Sequence, residues 1–385
     1  FADHGLGLPR FKRTLYDSGL HVPLIVRVPA RYRSLAPASP GGRIDRLVST
    51  VDLPPTVLTL AGQAVPEHMQ GRPFLGPQTA PPRDYVYSAS SRVDEAYEMS
   101  RCVRDKRYKY IRHFMPHLPY IQPSTFCDQA EIMQELRRIA ASGSLTGAQR
   151  PLWESTKPVE ELYDTQTDPH EMENLADAPA YQATLNRLRK ELRNWMLQTK
   201  DVGLLPEAEM HIRAAGSTPY EMARRPDRYP QSRILASAMQ VGAGPQALPA
   251  LKTSLTDPDS AVRYWAVVAL EALGVEAVPA LDAMENALDD PSPNVRFVAA
   301  GVLCRLGRGE RALPVLTAGL NDPRETVALH AARTLELLGD KARPAVESME
   351  RARRRYVKPD GSYTNNDHAM FIAWALKNAV DHCKP

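Results

Sequence analysis

A pattern that recurs about every 32 residues dominates the second half of the chain. The turns TDPDSAV, DDPSPNV and NDPRETV place Pro258, Pro291 and Pro323 at intervals of 33 and 32 residues. An apolar helical segment with its own proline precedes each turn, and a second apolar segment that ends in Leu-Gly follows it. Helix pairs of this kind can bury their apolar faces only against neighbouring pairs. The pattern therefore predicts an α-helical solenoid.

These units resemble HEAT repeats, because several features recur in register within them. They are a proline in the first helix, the Asp-Pro turn, the valine after it, a small alanine (Ala266, Ala299 and Ala331), and Leu-Gly at the end of the second helix. We expect an all-α HEAT-like solenoid with a C-terminal helix over residues 231–385. A protein that binds the solenoid is one partner to be expected.

Residues 1–202 carry a different, α/β pattern. Short β-rich runs alternate with loops as far as about residue 125, and segments with helical spacing follow. The β-rich runs are VPLIVRVP at 22–29, DYVYSAS at 84–90, MSRCVRD at 99–105 and RYKYIRHF at 107–114, and a helix is predicted at 53–62. We expect an α/β domain over residues 1–202, with a smaller subdomain from about residue 84. A linker over residues 203–230 separates it from the solenoid.

The first residues contain groups that can bind a metal ion. Asp3 and His4 stand together on a predicted turn closed by Gly5, after what the pattern indicates is the end of a strand. A carboxylate and an imidazole suit Mg²⁺, Ca²⁺, Mn²⁺ or Zn²⁺, and the carboxylate favours the harder ions. On its own, the tripeptide is better explained by a polar turn.

The longer string changes that interpretation. D-H-G, L-P-x-x-K and Y-D-S-G-L-x-V-P-L-I-V together resemble the C-terminal part of the sulfatase catalytic domain, in the alkaline-phosphatase-like superfamily. Three further blocks, at 47–75, 100–114 and 161–176, agree with that family in the same order, the last of them as ELYDTQTDPHEMENLA. The resemblance covers about residues 1–200 and is closest to bacterial sulfatases similar to heparan N-sulfatase.

The resemblance implies a set of roles. In that family a formylglycine hydrate, made from a Cys or Ser in a C/S-x-P-x-R motif, cleaves a sulfate ester beside a calcium ion. Asp3 and His4 would be two of the calcium ligands, and Lys12 would contact a sulfate oxygen as a catalytic residue. A cation and an ammonium stabilise the charge that develops on the sulfuryl group.

Two features depart from the family pattern. His4 stands where many sulfatases carry Asn. No serine has the motif's setting, and x-Pro-x-Arg follows none of the cysteines, which are Cys102, Cys127, Cys304 and Cys383. We therefore expect the formylglycine nucleophile and the rest of the calcium site to lie upstream of Phe1. An N-terminally truncated chain of this kind is expected to be inactive alone.

Three hypotheses for function follow. The first is a sulfatase, a sulfuric ester hydrolase of sulfated carbohydrate. The second is an interaction scaffold, in which the solenoid carries a non-catalytic sulfatase remnant. The third is a metal-dependent phosphoryl-transfer relative within the same superfamily, where an Asp-His pair also binds metal.

Composition excludes some partners. The net charge of +3 over 385 residues gives no reason to expect nucleic acid as a partner. The sequence has no run approaching the roughly 20 apolar residues of a membrane span. A periplasmic or secreted location is an expectation from the family alone.

One other charged segment needs an interpretation. SRVDEAYE at 91–98 places Arg92, Asp94 and Glu95 in a predicted loop. Fixed carboxylates and guanidinium groups can bind sugar hydroxyls, but we expect a solvated charged loop here. For His113 and His117, in RHFMPHLPY, an ordered loop is favoured over a binding role.

Overall fold

The computed structural model describes residues 1–384, and the chain divides into two compact units. The first unit comprises Phe1–Ser90, Ser100–Arg112 and Glu160–Asn194. The second comprises Ser91–Met99, His113–Val159 and the chain from Trp195 onward. The domain boundaries near residues 202 and 230 stay a prediction.

A four-stranded sheet forms the core of the first unit. Its strands are β1 (Val86–Ser90), β2 (Ser100–Arg104), β3 (Tyr108–His113) and β4 (Glu160–Asp164), in the order β1-β2-β3-β4. The pairs β1–β2 and β3–β4 are antiparallel, with Ser88 opposite Cys102 and Tyr110 opposite Leu162. Nearly all of β2 and β3 is buried, so both faces of the central strands are covered.

The apolar run at 22–29 does not form the strand that its pattern predicts. These residues have no regular secondary structure, and Ile25 is 87% exposed. A strand needs a neighbour that accepts and donates its backbone hydrogen bonds, and in the described chain no strand pairs with this run. Asp3 and His4 lie in a bend, and residues 1–2 before them have no regular secondary structure.

Helices account for most of the remaining regular structure. The α-helices are α1 (Asp17–Leu20), α2 (Leu53–Leu60), α3 (Glu131–Ala141), α4 (Gln182–Thr199), α5 (Glu207–Arg213), α6 (Pro219–Met222), α7 (Gln231–Ala238), α8 (Leu248–Ser254), α9 (Ser260–Leu273), α10 (Leu281–Asn286), α11 (Pro293–Arg305), α12 (Gly309–Gly319), α13 (Glu325–Leu338), α14 (Val346–Arg353) and α15 (His368–His382). Short 3-10 helices cover Ala30–Leu35, Thr50–Asp52, Cys127–Gln129, Gly147–Trp153, Pro179–Tyr181, Val202–Leu204, Pro245–Ala247, Gly274–Ala280, Ala287–Asp289 and Gly339–Ala345. Within residues 1–384, none of the helices combines the length and apolar character that crossing a membrane requires.

The repeat pattern becomes a row of helices in the second unit. The second helix of each pair packs against the next, in the order α7, α9, α11, α13 and α15. The alanines at 266, 299 and 331 are fully buried in this row, where a small side chain lets the helices approach closely. The glycines of Leu-Gly have positive φ angles, of +57° at Gly274, +82° at Gly307 and +54° at Gly339. Glycine adopts such angles without strain and ends each helix there.

The aspartate of the Asp-Pro turn has the same structural role in all three repeats. Asp257, Asp290 and Asp322 each accept a hydrogen bond from the backbone N–H two residues later, at 2.8–2.9 Å. A side chain that bonds its own backbone in this way stabilises a turn. The predicted fold class, an α/β part with a small antiparallel sheet followed by all-α HEAT-like repeats, is confirmed.

A buried histidine makes the stability of the second unit depend on pH. His330 Nδ1 lies 3.0 Å from Asn294 Oδ1, and its ring packs edge-on against Phe297. Burial lowers the pKa of His330 to about 4 from 6.5. The unfolded chain therefore binds a proton between about pH 6.5 and pH 4 that the folded chain does not bind, and stability falls as the pH falls through this window.

We expect His330→Gln to remove this part of the pH dependence. The shift corresponds to roughly 3 kcal/mol at about 1.4 kcal/mol per pKa unit. Denaturant unfolding at several pH values between 4 and 7 measures it. His211→Gln, at an exposed position, is the control and should leave the slope as it is. An unchanged slope for His330→Gln would show that His330 is not held neutral.

Candidate functional site

A loop formed by residues 1–20 carries all of the predicted site residues. The N–H of Gly5 donates to the carbonyl of Gly19 at 3.2 Å, which closes the loop on α1. A Cβ atom at Gly5 would lie 2.0 Å from the carbonyl oxygen of Ser18, and one at Gly19 would lie 2.1 Å from that of Phe11. Only glycine fits at both places. The glycines of D-H-G and Y-D-S-G are therefore each needed for a close approach of two backbone segments within the loop.

The side chains of Asp3 and His4 are available to a metal ion. His4 Nδ1 lies 2.6 Å from the carbonyl oxygen of Gly5. Since a carbonyl can only accept, Nδ1 carries the hydrogen, which in the neutral ring leaves the lone pair on Nε2. Nε2 lies 3.7 Å from Asp3 Oδ2, and the side chains are 40% exposed for His4 and 84% exposed for Asp3. Metal-binding histidines are commonly oriented by such a hydrogen bond from the other ring nitrogen.

The pair fits a metal ion as part of a larger set of ligands. Calcium takes six to eight oxygen ligands. Within residues 1–384 there is no group of three or more His, Cys, Asp or Glu side chains that could hold a metal ion. Asp3 and His4 would thus supply two ligands, one carboxylate and one imidazole, and their assignment stays a prediction.

Lys12 lies on the same loop. Its N–H donates to the carbonyl of Leu6 at 3.0 Å. The residues on either side of Phe11 and Lys12 have left-handed backbones, with φ of 66° at Arg10 and 73° at Arg13. The Lys12 side chain is exposed. The loop therefore presents an ammonium group, and the contact of that group with sulfate stays a prediction.

A buried ionic cluster under the loop was not predicted from the sequence. Lys109 is 0% exposed on β3, and its Nζ lies 2.5 Å from Asp17 Oδ1 and 2.6 Å from Glu171 Oε1. It also donates to the carbonyl of Leu15 at 3.1 Å. Arg104 adds a second cation, 3.2 Å from Asp17. The cluster joins the end of the loop to the sheet.

The charges in this cluster are unequally stabilised. Burial raises the pKa of Asp17, but Lys109 and Arg104 outweigh it and hold that pKa below its usual range. Burial has the larger effect at Glu171 and raises the pKa of that carboxyl. Lys109 therefore lies between the carboxylate of Asp17, which ionises more readily than usual, and that of Glu171, which ionises less readily.

Two residues of the ELYD block hold the loop from another side. Glu161 accepts hydrogen bonds from the hydroxyl of Tyr16 at 3.2 Å and from that of Tyr163 at 3.1 Å. The guanidinium of Arg10 stacks on the ring of Tyr16 at 3.8 Å and donates to the carbonyls of His170 and Glu171. The block at 161–176 thus acts as a support for the loop. The motif D-P-x-E contains Glu171 and was visible in the sequence. The motif alone does not show that Glu171 pairs with Lys109.

The charged segment at 91–98 lies in the second unit, and its residues are half-buried except for Glu95, which is buried. Glu95 is 1% exposed and accepts a hydrogen bond from the N–H of Thr125 at 2.5 Å. Arg92 pairs with Glu207. His117, in the nearby ordered loop, pairs with Glu271 at 3.3 Å. The expectation of a solvated loop was wrong. Residues far along the chain supply a hydrogen bond to Glu95 and a counter-charge to Arg92.

Comparison with known proteins agrees with both halves of this description. The family described as N-sulphoglucosamine sulphohydrolase, C-terminal, matches residues 10–155. HEAT repeats match residues 281–358, and the PBS lyase HEAT-like repeat matches residues 262–290.

Individual proteins similar to about half of this chain are also sulfatases. An ulvan-active sulfatase of Formosa agariphila is 41% identical over 210 residues, which are 54% of this chain and 34% of that protein. N-sulphoglucosamine sulphohydrolase of Homo sapiens is 29% identical over 213 residues, 52% of this chain and 41% of that protein. The chain thus spans between a third and a half of the length of these curated relatives.

A solved structure of a protein in complex with its substrate D-glucosamine-2-N,6-O-disulfate aligns with 41% of this chain and 26% of that chain. Its TM-score is 0.26 at 20% identity, too low to support a conclusion. Over residues 10–155 the chain is thus similar to the C-terminal part of the sulfatases, and over residues 262–358 it is similar to HEAT-type repeats.

Proposed function

We propose that the protein is a sulfuric ester hydrolase that acts on sulfated carbohydrate. The observation that carries the proposal is the loop of residues 1–20, in which one closed backbone presents a carboxylate, an oriented imidazole and an exposed ammonium. The names of the two relatives, an ulvan-active sulfatase and an N-sulphoglucosamine sulphohydrolase, support the substrate class.

Each side chain of the loop has a role in this proposal. Asp3 Oδ2 and His4 Nε2 would bind calcium, which supplies positive charge beside the sulfuryl group when bound. The ammonium of Lys12 would donate to a sulfuryl oxygen and stabilise the charge that builds up as the ester bond breaks. Lys109 and Glu161 keep the loop in place and touch no reacting atom. The nucleophile in this proposal is a formylglycine, and none of residues 1–384 is assigned to it.

The preference between two esters tests the proposal. We expect the intact gene product, after mass spectrometry has verified its formylglycine, to hydrolyse 4-nitrophenyl sulfate far faster than 4-nitrophenyl phosphate. A preference for the phosphate would favour the phosphoryl-transfer alternative. Hydrolysis of neither ester would favour the interaction scaffold. Sulfated and desulfated polysaccharides compared as substrates would then test the carbohydrate class.

The metal assignment gives a separate prediction. Asp3→Ala removes one of two donors from the loop, so we expect the purified protein to retain at least about tenfold less calcium at a limiting concentration. Metal analysis by mass spectrometry measures it. Asp45→Ala, at another highly exposed aspartate of the first unit, is the control. Full calcium occupancy in Asp3→Ala would show that Asp3 is not a ligand.

Two further proposals concern the setting of the protein. We expect it to act in the periplasm or outside the cell, because sulfated polysaccharides are met outside the cytoplasm. Fractionation that recovers the protein only from the cytoplasm would contradict this. A protein partner bound to the HEAT helices stays a prediction, and a pull-down with the repeats intact and deleted would test it.

A further inference from the structure

A cavity lies inside the second unit, and no residue of the loop 1–20 lines it. Helices α9, α11 and α13 form one wall, and residues 92–97, residues 115–118 and the start of α5 form the other. Its volume is about 90 Å³. One water molecule needs roughly 10–15 Å³ on the same measure. The cavity therefore has room for a small organic molecule.

Three lining side chains have polar atoms without partners. Glu95, Asn294 and Arg333 are all at least 96% buried, and no hydrogen bond reaches Glu95 Oε2, Asn294 Nδ2 or Arg333 Nε. Leaving such a group unpaired costs about 1–3 kcal/mol. Several of them around one cavity indicate a ligand that supplies the missing hydrogen bonds.

The other polar atoms of these three side chains do have hydrogen-bond partners. Asn294 Oδ1 lies 3.0 Å from His330 Nδ1. The two terminal nitrogens of Arg333 donate to Glu336 at 2.6 Å and to Gln122 at 3.0 Å. Glu95 Oε1 accepts from Thr125, as described above. These bonds fix the orientation of the side chains before any ligand binds, which lowers the entropic cost of binding.

The arginines around the cavity are already paired with carboxylates. The lining contains three arginines and three glutamates, which are Arg92, Arg305, Arg333, Glu95, Glu207 and Glu271. Arg92 pairs with Glu207, Arg305 pairs with Glu271, and Arg333 pairs with Glu336, which lies outside the lining. The pKa of Glu271 is lowered to about 2, because His117 and Arg305 outweigh the effect of its burial. An anionic ligand would therefore find no arginine here without a counter-charge of its own.

The remaining groups match hydroxyls on an apolar framework. Glu95 Oε2 can only accept from a hydroxyl, whereas Asn294 Nδ2 and Arg333 Nε can only donate to one. Tyr264, Val298, Leu329 and Met115 supply apolar and aromatic surface between them. Sugar rings combine hydroxyls at the edge with C–H groups on the faces. We propose that the cavity binds a single neutral sugar ring, independently of the sulfatase function.

Binding of neutral monosaccharides tests this proposal. Saturation-transfer NMR on the intact protein, with D-glucose, D-galactose, D-mannose and L-rhamnose as separate probes, should show transfer to at least one of them. We expect Asn294→Leu and Glu95→Gln each to weaken that binding at least about tenfold. Asn286→Leu, at an exposed position on α10, and Lys12→Ala, on the proposed catalytic loop, should leave it unchanged.

The outcomes separate the proposal from its rivals. Two variants are used because either alone could disturb folding, which circular dichroism and thermal melting would reveal. No binding of any probe would mean that the cavity holds water only, and the proposal would fail. It would also fail if only sulfate or D-glucuronate bound, or if Lys12→Ala abolished sugar binding while Glu95→Gln did not.

Discussion

Replacing Lys12 with alanine is expected to lower the turnover of an aryl sulfate by about 100-fold or more. Loss of one group that stabilises developing charge typically has an effect of this size. The Lys12 side chain is exposed on the loop that also carries Asp3 and His4. If it contacts the sulfuryl group more strongly in the transition state than in the bound substrate, kcat should fall more than KM rises.

Two controls make this result specific. The melting temperature of Lys12→Ala should stay close to that of the parent, because the side chain is exposed and the backbone bond to Leu6 is kept. Lys190→Ala, at an exposed lysine of α4 in the first unit, should leave turnover unchanged. Unaltered turnover in Lys12→Ala would refute the assignment of Lys12.

The repeats could be predicted because their determinants are local. The bond from Asp290 to the N–H of Ser292 and the positive φ of Gly307 involve residues close in sequence. A local pattern of residue types therefore carries the information. The strands β1, β2 and β3 were predictable for the same reason, since each is a short apolar or β-rich run bounded by loops.

The features that sequence reasoning missed depend on partners far along the chain. Lys109 and Glu171 are separated by more than 60 positions, and nothing in RYKYIRHF shows that its one lysine is buried. The same holds for Glu95, which the fold buries beside Thr125. The run at 22–29 failed as a strand because pairing, and not propensity, decides whether a strand forms.

The site residues fall between these two cases. The string from Asp3 to Lys12 was recognised by its resemblance to sulfatases, and the structure places it on one closed loop. The hydrogen bond between His4 Nδ1 and the carbonyl of Gly5 could not be foreseen, because it depends on the conformation of the bend. The roles of Asp3, His4 and Lys12 rest on the experiments proposed above.

Replacing Lys109 with methionine is expected to destabilise the protein by about 3–5 kcal/mol. Removing one partner of a buried ion pair leaves an uncompensated buried charge, and losses of this size are typical. Here two buried carboxylates, of Asp17 and Glu171, would lose their shared cation, and only Asp17 would keep Arg104. Urea unfolding at pH 7 measures the loss.

The pH dependence of that loss identifies its cause. Without Lys109, both carboxylates should titrate at higher pH in the folded protein, so the folded state gains relative stability when they take up protons. The difference between Lys109→Met and the parent should therefore shrink as the pH falls from 7 toward 4. Lys106→Met removes an exposed ion pair with Asp45 next to β3, and it should cost less than about 1 kcal/mol. A deficit in Lys109→Met that does not change with pH would point to lost packing and not to unpaired charge.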